Sequence, residues 1–254
     1  ILRDPGKPET LNPANGDVFL GGVMQGQASF LNGCESCHGS KIAIDETTKR
    51  PHSSTYPNYG IGRINPDGTA GTCSACHQRH EFRMDAVRQA ETCGKCHLGL
   101  DHPQLAIWKE SKHGQAFKES NSEIDLNRRP LILGRQKQIV PVCATCHLGA
   151  TTSPEAGQTH DPSSRLSWHT ATEISERSEN WQKKRLSMMT ICMKCHSPGF
   201  VKNHFVQYDK VIALYNKKFS QPAQAILQAL RDAQKLDPAP FNETIERIWL
   251  SLWH

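Results

Sequence analysis

The chain has 254 residues, enough for one large domain or two small ones, but only 37% are hydrophobic and 7% aromatic, so apolar side chains alone make a thin core. Its formal charge of +5 is scattered, with short basic runs such as Lys183-Lys184-Arg185 and Lys217-Lys218, which argues against a nucleic-acid footprint. No run of about eighteen apolar residues occurs, which excludes a membrane-spanning helix.

Residues 1–30 are rich in Pro, Gly and Asn and read as an extended lead-in. The chain opens Ile1-Leu2-Arg3, without Met or a signal peptide, as expected of a processed chain or a piece of a longer one. A Cys-x-x-Cys-His string follows at Cys34, Cys37 and His38. Residues 40–72 form a long polar loop carrying Pro51, Pro57, Gly60, Gly62, Pro66 and Gly68, and loops of this kind are usually functional or wrap a cofactor. The same string recurs at Cys73/Cys76/His77, Cys93/Cys96/His97, Cys143/Cys146/His147 and Cys192/Cys195/His196. The first cysteines are 39, 20, 50 and 49 residues apart, so this is no simple tandem repeat. Beyond residue 200, Val206, Tyr208, Val211, Ile212, Leu214, Tyr215 and Phe219 give a helical stripe. Pro222 is expected to end or kink that helix, with a second helix over 223–235. Asp237-Pro238-Ala239-Pro240 is a breaker, and Asn242 is placed to cap a third helix over 243–253, whose Ile245, Ile248, Trp249 and Leu252 share a face. That pattern is still running at Trp253-His254, so the natural chain is expected to continue. Strand signals are weak, and the fold is expected to be mainly α.

The five strings consume all ten cysteines, and each ends in His. Cys-x-x-Cys-His is the attachment motif for c-type haem: two thiols become thioethers to the vinyl groups and the histidine ligates iron. Structural zinc uses two cysteine pairs per metal, which strands one of five pairs and leaves the histidines unexplained. Redox dithiols come singly within a βαβ pattern that is not visible here, and a disulfide framework would not favour so tight a spacing five times. The reading is therefore five covalent haems c, on Cys34, Cys37, Cys73, Cys76, Cys93, Cys96, Cys143, Cys146, Cys192 and Cys195, with His38, His77, His97, His147 and His196 as proximal ligands and no other metal. Each ferric haem adds roughly −1 by simple charge counting, so the loaded chain is near neutral. Porphyrins would also supply the apolar mass the side chains lack, so the haems are expected to form the core, within helices and long loops.

Eight of the thirteen histidines remain. His80, three residues beyond His77, cannot easily reach the opposite face of the same iron and is expected to cap a neighbouring haem. His113 and His160 sit in short polar stretches suited to a reaching distal ligand. His52, His169, His204 and His254 read as surface histidines. Asp101-His102 allows two readings: an acid/base relay over a haem, or a loop Asp beside a distal ligand.

In order, Cys34-Glu-Ser-Cys-His-Gly, Cys73-Ser-Ala-Cys-His-Gln-Arg-His-Glu-Phe, Cys93-Gly-Lys-Cys-His-Leu-Gly-Leu-Asp-His, Ser111-Lys-His-Gly, Val142-Cys-Ala-Thr-Cys-His, Thr159-His160 and the Cys192 motif with Ser197 and Phe200 resemble the octahaem hydroxylamine oxidoreductase family over residues 30 to 205. The resemblance implies a mainly helical multihaem fold, trimeric assembly, and correspondence of these five haems to the family's last five. It makes the Cys34/Cys37/His38 haem the catalytic one with an open distal face. It also makes Asp101 and His102 the distal acid/base pair and His80, His113 and His160 distal haem ligands. The family's first three haems are absent here. The tyrosine cross-linked to the catalytic haem in oxidative members lies beyond the last haem motif, in a stretch this chain does not reach, and Tyr208 and Tyr215 sit too close to that motif to match it. The loop from Gly60 to Gly68 is similar to members that run reductively, so direction stays open.

Three function classes follow. The first is an oxidoreductase acting on hydroxylamine, hydrazine or nitrite, passing electrons along its haems to or from a redox partner protein. The second is a non-catalytic electron conduit or filament subunit with every iron six-coordinate. The third, compatible with both, is a half-protein whose N-terminal haem-bearing portion is elsewhere. The expected organisation is a pentahaem domain over 1–205 and a C-terminal helical segment over 206–254. Because haem c is attached on the outer side of energy-transducing membranes, the expected location is periplasmic or otherwise extracytoplasmic.

Overall fold

A computed structural model describes residues 42–53, 55–58, 63, 72–78, 83–99, 103–120, 124–128, 132–134, 140–170, 173–239 and 242–253. Of these, the residues up to Thr92 together with Asp125–Arg128 make one compact unit, and the remainder from Cys93 onward makes the other.

In the first unit, Ile44 and Pro51 bridge a turn. The Asp45 carboxylate closes it by accepting from the Thr47 and Thr48 backbone N–H groups at 3.0 and 2.7 Å. A 3₁₀ turn, Cys73–Ala75, precedes two short helices, α1 (Met84–Arg88) and α2 (Ala90–Gly94). Arg88 pins α1 to the Asp125–Arg128 segment by donating to the Leu126 and Arg128 carbonyls at 2.6 and 2.7 Å.

The second unit is helical with two minimal strand pairs. α3 (Gln104–Glu110) and α4 (Lys112–Ser120) are separated at Ser111. The Ser111 hydroxyl donates to the Trp108 carbonyl at 2.6 Å and accepts from the Gly114 N–H at 3.2 Å, so one side chain closes α3 and caps α4. A side chain at position 114 would put its Cβ 2.1 Å from the Trp108 carbonyl, so only glycine lets the two helices approach this closely. His113 accordingly stands in the first turn of a helix, not in the polar turn expected from its neighbours. β1 (Ile132–Leu133) pairs in parallel with β2 (Ala150–Thr151), flanking α5 (Cys143–His147). β3 (Trp168–His169) pairs antiparallel with β4 (Glu176–Arg177).

α6 (Trp181–Cys192) runs into the last cysteine motif, and α7 (Pro198–Tyr215) leaves it, capped by the Ser197 hydroxyl accepting from the Phe200 N–H. A π-helical stretch, Asn216–Ser220, joins α7 to α8 (Gln221–Asp232), and α9 (Thr244–Trp253) closes the described chain. The break expected at Pro222 falls just before it: α7 gives way to the π stretch, and Pro222 stands in the first turn of α8. The stripe read from the sequence is also mostly outward: Ile212 is buried, whereas Val206, Val211, Leu214 and Phe219 are exposed. On α9, Trp249 is buried and Ile248 exposed.

A polar clamp holds α7 to the β3–β4 hairpin and α6. Asp209 on α7 accepts from Arg185 at 2.7 and 3.1 Å, from Arg177 at 2.9 Å and from the Trp168 indole at 2.9 Å. The Arg177 guanidinium lies 4.0 Å from the ring centres of both Trp168 and Trp181, and that of Arg185 lies 4.4 Å from Phe205. Burial pushes the Asp209 carboxyl up, but the hydrogen bonds from Arg185, Arg177 and Trp168 outweigh it and hold the group well below the usual carboxylate range. Asp209→Ala leaves two guanidinium groups facing each other and is expected to destabilise the holo-protein by about 3 kcal/mol in denaturant titration. Because the folded-state pKa is depressed, this contribution is complete above the unfolded carboxyl value near 3.8 and is lost as pH falls below it.

The fold is mainly α, as the sequence led us to expect, and the apolar core is thin. Leu133, Ala156 and Ile191 form one buried apolar cluster of the second unit. No helix among the described residues is long and apolar enough to cross a membrane.

Candidate haem-binding and electron-transfer site

Local backbone geometry explains the motif spacing. The His77, His97 and His196 N–H groups each donate to the carbonyl of the first cysteine of their own string, at 2.8, 2.9 and 3.0 Å. The second cysteines Cys76, Cys96 and Cys195 donate to the same carbonyls at 3.2, 3.1 and 3.1 Å. One tight turn thus carries two thiols and an imidazole together. The Cys143 string is a full helical turn, α5, whose entry is fixed by the Val142 N–H donating to the Thr145 hydroxyl at 3.1 Å.

Two of the proximal imidazoles are oriented from behind. His147 Nδ1 lies 2.9 Å from the Pro162 carbonyl, and His97 Nδ1 lies 3.3 Å from Gln104 Oε1. An Nδ1–H directed at an oxygen leaves Nε2 as the lone-pair nitrogen, the form that ligates a metal. The Leu105 N–H also donates to the His97 carbonyl at 3.2 Å, so the start of α3 is tied twice to that histidine.

Within the second unit the attachment turns meet. The Cys93 thiol is hydrogen-bonded to that of Cys143, and this contact with burial holds it far above the usual thiol range. Burial and the neighbouring Cys192 and Cys195 push the Cys146 thiol up to about 11, and burial also raises Cys192. The donor set, the shared turn and the freed Nε2 atoms fit covalent haem.

His113 approaches the last string, its ring centre 5.9 Å from that of His196 at 50° between planes. His196 also stacks on Phe200 at 4.8 Å and 20°. Burial and the nearby His196 hold the His113 pKa below its ordinary value, which keeps its imidazole neutral at pH 7. His160 is half-buried in the bend after β2, and burial lowers its pKa too. His52, His169 and His204 are exposed. Cys34, Cys37, His38, His80, Asp101 and His102 lie outside the described residues, so the first string and the expected acid/base pair are known here from sequence only. Arg165 and Asp209 carry no sequence signal of their own and emerge only from the fold.

The sequence pattern of a family described as "Seven times multi-haem cytochrome CxxCH" matches residues 66–240, which hold four of the five strings. The chain is similar to a probable nitrite reductase-hydroxylamine oxidoreductase fusion protein of Kuenenia stuttgartiensis, 23% identical over 82% of this chain and 30% of that protein. It thus spans less than a third of the length of that curated relative. Among solved structures, a hypothetical multiheme protein superposes with a TM-score of 0.67 at 24% identity, covering 90% of this chain and 61% of the other. A reducing HAO-like protein complex of Kuenenia stuttgartiensis superposes with a TM-score of 0.51 at 26% identity, covering 68% and 38%. These matches agree with the resemblance read from motif order.

Proposed function

The chain belongs to the multihaem CxxCH cytochrome family, and from that premise we propose that it is a pentahaem oxidoreductase acting on a small nitrogen compound. As a member of that family it carries covalent c-type haem; the number five is our reading of its five strings. When bound, haem c supplies an iron that changes oxidation state and, with one axial face open, a place for a small ligand.

The chain's own residues then divide the work. Cys34, Cys37 and His38 hold the haem with the open face, and Asp101 and His102 move protons beside it. The other four pairs of cysteines, with His77, His97, His147 and His196, hold electron-carrying haems. His80, His113 and His160 supply distal ligands. Hydroxylamine or hydrazine oxidation and nitrite or hydroxylamine reduction both fit this division. The protein works outside the cytoplasm with a redox partner, as a homo-oligomer or beside an N-terminal haem-bearing half.

The observation that carries the electron-transfer part is the packing of α5, the Cys143–His147 turn, against α6, which ends at Cys192. Contiguous attachment turns set successive haems side by side. The catalytic part rests on motif order and on the relation to hydroxylamine oxidoreductase-like proteins. The same contiguity also suits a second reading, a pure electron conduit, in which the Cys34 haem has a distal histidine. Low-temperature EPR separates the two. One high-spin ferric signal beside four low-spin ones is expected, and five low-spin signals would favour the conduit. Mass spectrometry is expected to find five covalent haems per chain.

A further inference from the structure

We propose that Arg165 is a positioning residue for electron transfer, a buried cation held by neutral acceptors that raises the reduction potential of the haem on Cys143, Cys146 and His147. The proposal rests on the reading of that string as a haem site. Arg165 is 3% exposed. Its Nη1 donates to the Cys146 carbonyl at 2.9 Å, its Nη2 to the carbonyls of Gly149 and Gly157 at 2.7 and 2.6 Å, and its Nε to the Ser187 hydroxyl at 3.1 Å. Every acceptor is neutral. Among the described residues no carboxylate lies within ion-pair distance of it.

A buried cation without a counter-charge is unfavourable unless something offsets it. Three carbonyl dipoles offset part of the penalty here, and they also fix the guanidinium in place. Arginine stays protonated in such surroundings, so the charge is permanent. It is anchored on the backbone of a haem-bearing cysteine, one residue from the proximal histidine. Reduction of ferric haem removes one positive charge from the iron site, so a fixed cation nearby favours the reduced state. Burial leaves little room for counter-ions, so the effect resists salt. Ser187 lies on α6, which ends at Cys192, so the same cation borders the next attachment turn.

Arg165→Gln in the holo-protein tests this by potentiometric titration, followed in visible and low-temperature EPR spectra at low and high ionic strength. One low-spin haem is expected to titrate at a more negative potential, at both salt concentrations, with five covalent haems retained by mass. Arg165→Lys, which restores the charge, is expected to return most of the shift. Ser187→Ala removes one acceptor and keeps the charge, so it is expected to leave the potentials in place. Unchanged potentials in Arg165→Gln, or an equal shift in Ser187→Ala, overturn the proposal. Loss of the Cys143 haem in Arg165→Gln also overturns it, by making Arg165 a structural tie. A wild-type chain without haem on Cys143 and Cys146 would instead count against the pentahaem reading itself.

Discussion

Asp101→Asn is expected to lower turnover with hydroxylamine or nitrite by about 10²-fold or more, the scale of general acid–base contributions. Multi-electron nitrogen chemistry moves a proton with nearly every electron. An iron offers no proton source, so an ionisable pair beside the substrate is required. Histidine titrates near neutrality, and an adjacent carboxylate can orient its ring and steady its charged form. Asparagine keeps the shape and a hydrogen-bonding oxygen but takes no proton. Haem content and substrate affinity should therefore change far less than turnover. Pro103 and Gln104 follow the pair directly, and Gln104 with Leu105 is held at His97, so α3 begins on anchored backbone. His102→Ala is expected to act in the same direction. Wild-type turnover in both variants, or His102 found as an iron ligand, would remove the acid/base assignment and most of the mechanism built on it.

The tight turns of the cysteine–histidine strings were legible in sequence because covalent attachment of haem would leave little freedom. Two thioethers and a ligating nitrogen must come from one turn, and the observed hydrogen bonds from His77, His97 and His196 back to their first cysteines are that turn. The helical class was legible for a related reason: strand periodicity was missing and the C-terminal pattern had a helical period. What the sequence concealed are long-range pairings. Nothing near Arg165 announces that three carbonyls and a hydroxyl from separate segments converge on it, and nothing near Asp209 announces Arg177, Arg185 and Trp168. The helical stripe of α7 misled for a different reason. Its period was right, but periodicity says that a face exists and not what covers it, and Val211 and Leu214 are exposed. Pro222 was more legible: a proline disfavours a helix interior, and the regular α-helix gives way to a π stretch just before it.

His113→Ala is expected to convert one low-spin haem to high-spin while the number of covalent haems stays that of the wild type. Two imidazoles sharing one iron, each with a metal–nitrogen distance of about 2 Å, set their ring centres about 6 Å apart. His113 and His196 are 5.9 Å apart with their planes inclined at 50°. The contact of His196 with Phe200 differs in kind: the rings stack at 4.8 Å and 20°, the spacing of ordinary ring packing. The two helix ends that carry these histidines are fixed independently, α4 by Ser111 and Gly114 and the Cys192 turn by α6 and the Ser197 cap. The pair is thus held by the scaffold rather than by attraction between the rings. The thioethers of Cys192 and Cys195 do not depend on the sixth ligand, so haem count should hold. Added imidazole should restore the low-spin spectrum of His113→Ala by filling the vacated position, which a general loss of packing would not allow. An unchanged low-spin count would make the His113–His196 contact mere packing, and the sixth ligand of that haem would have to come from His160 or from another chain.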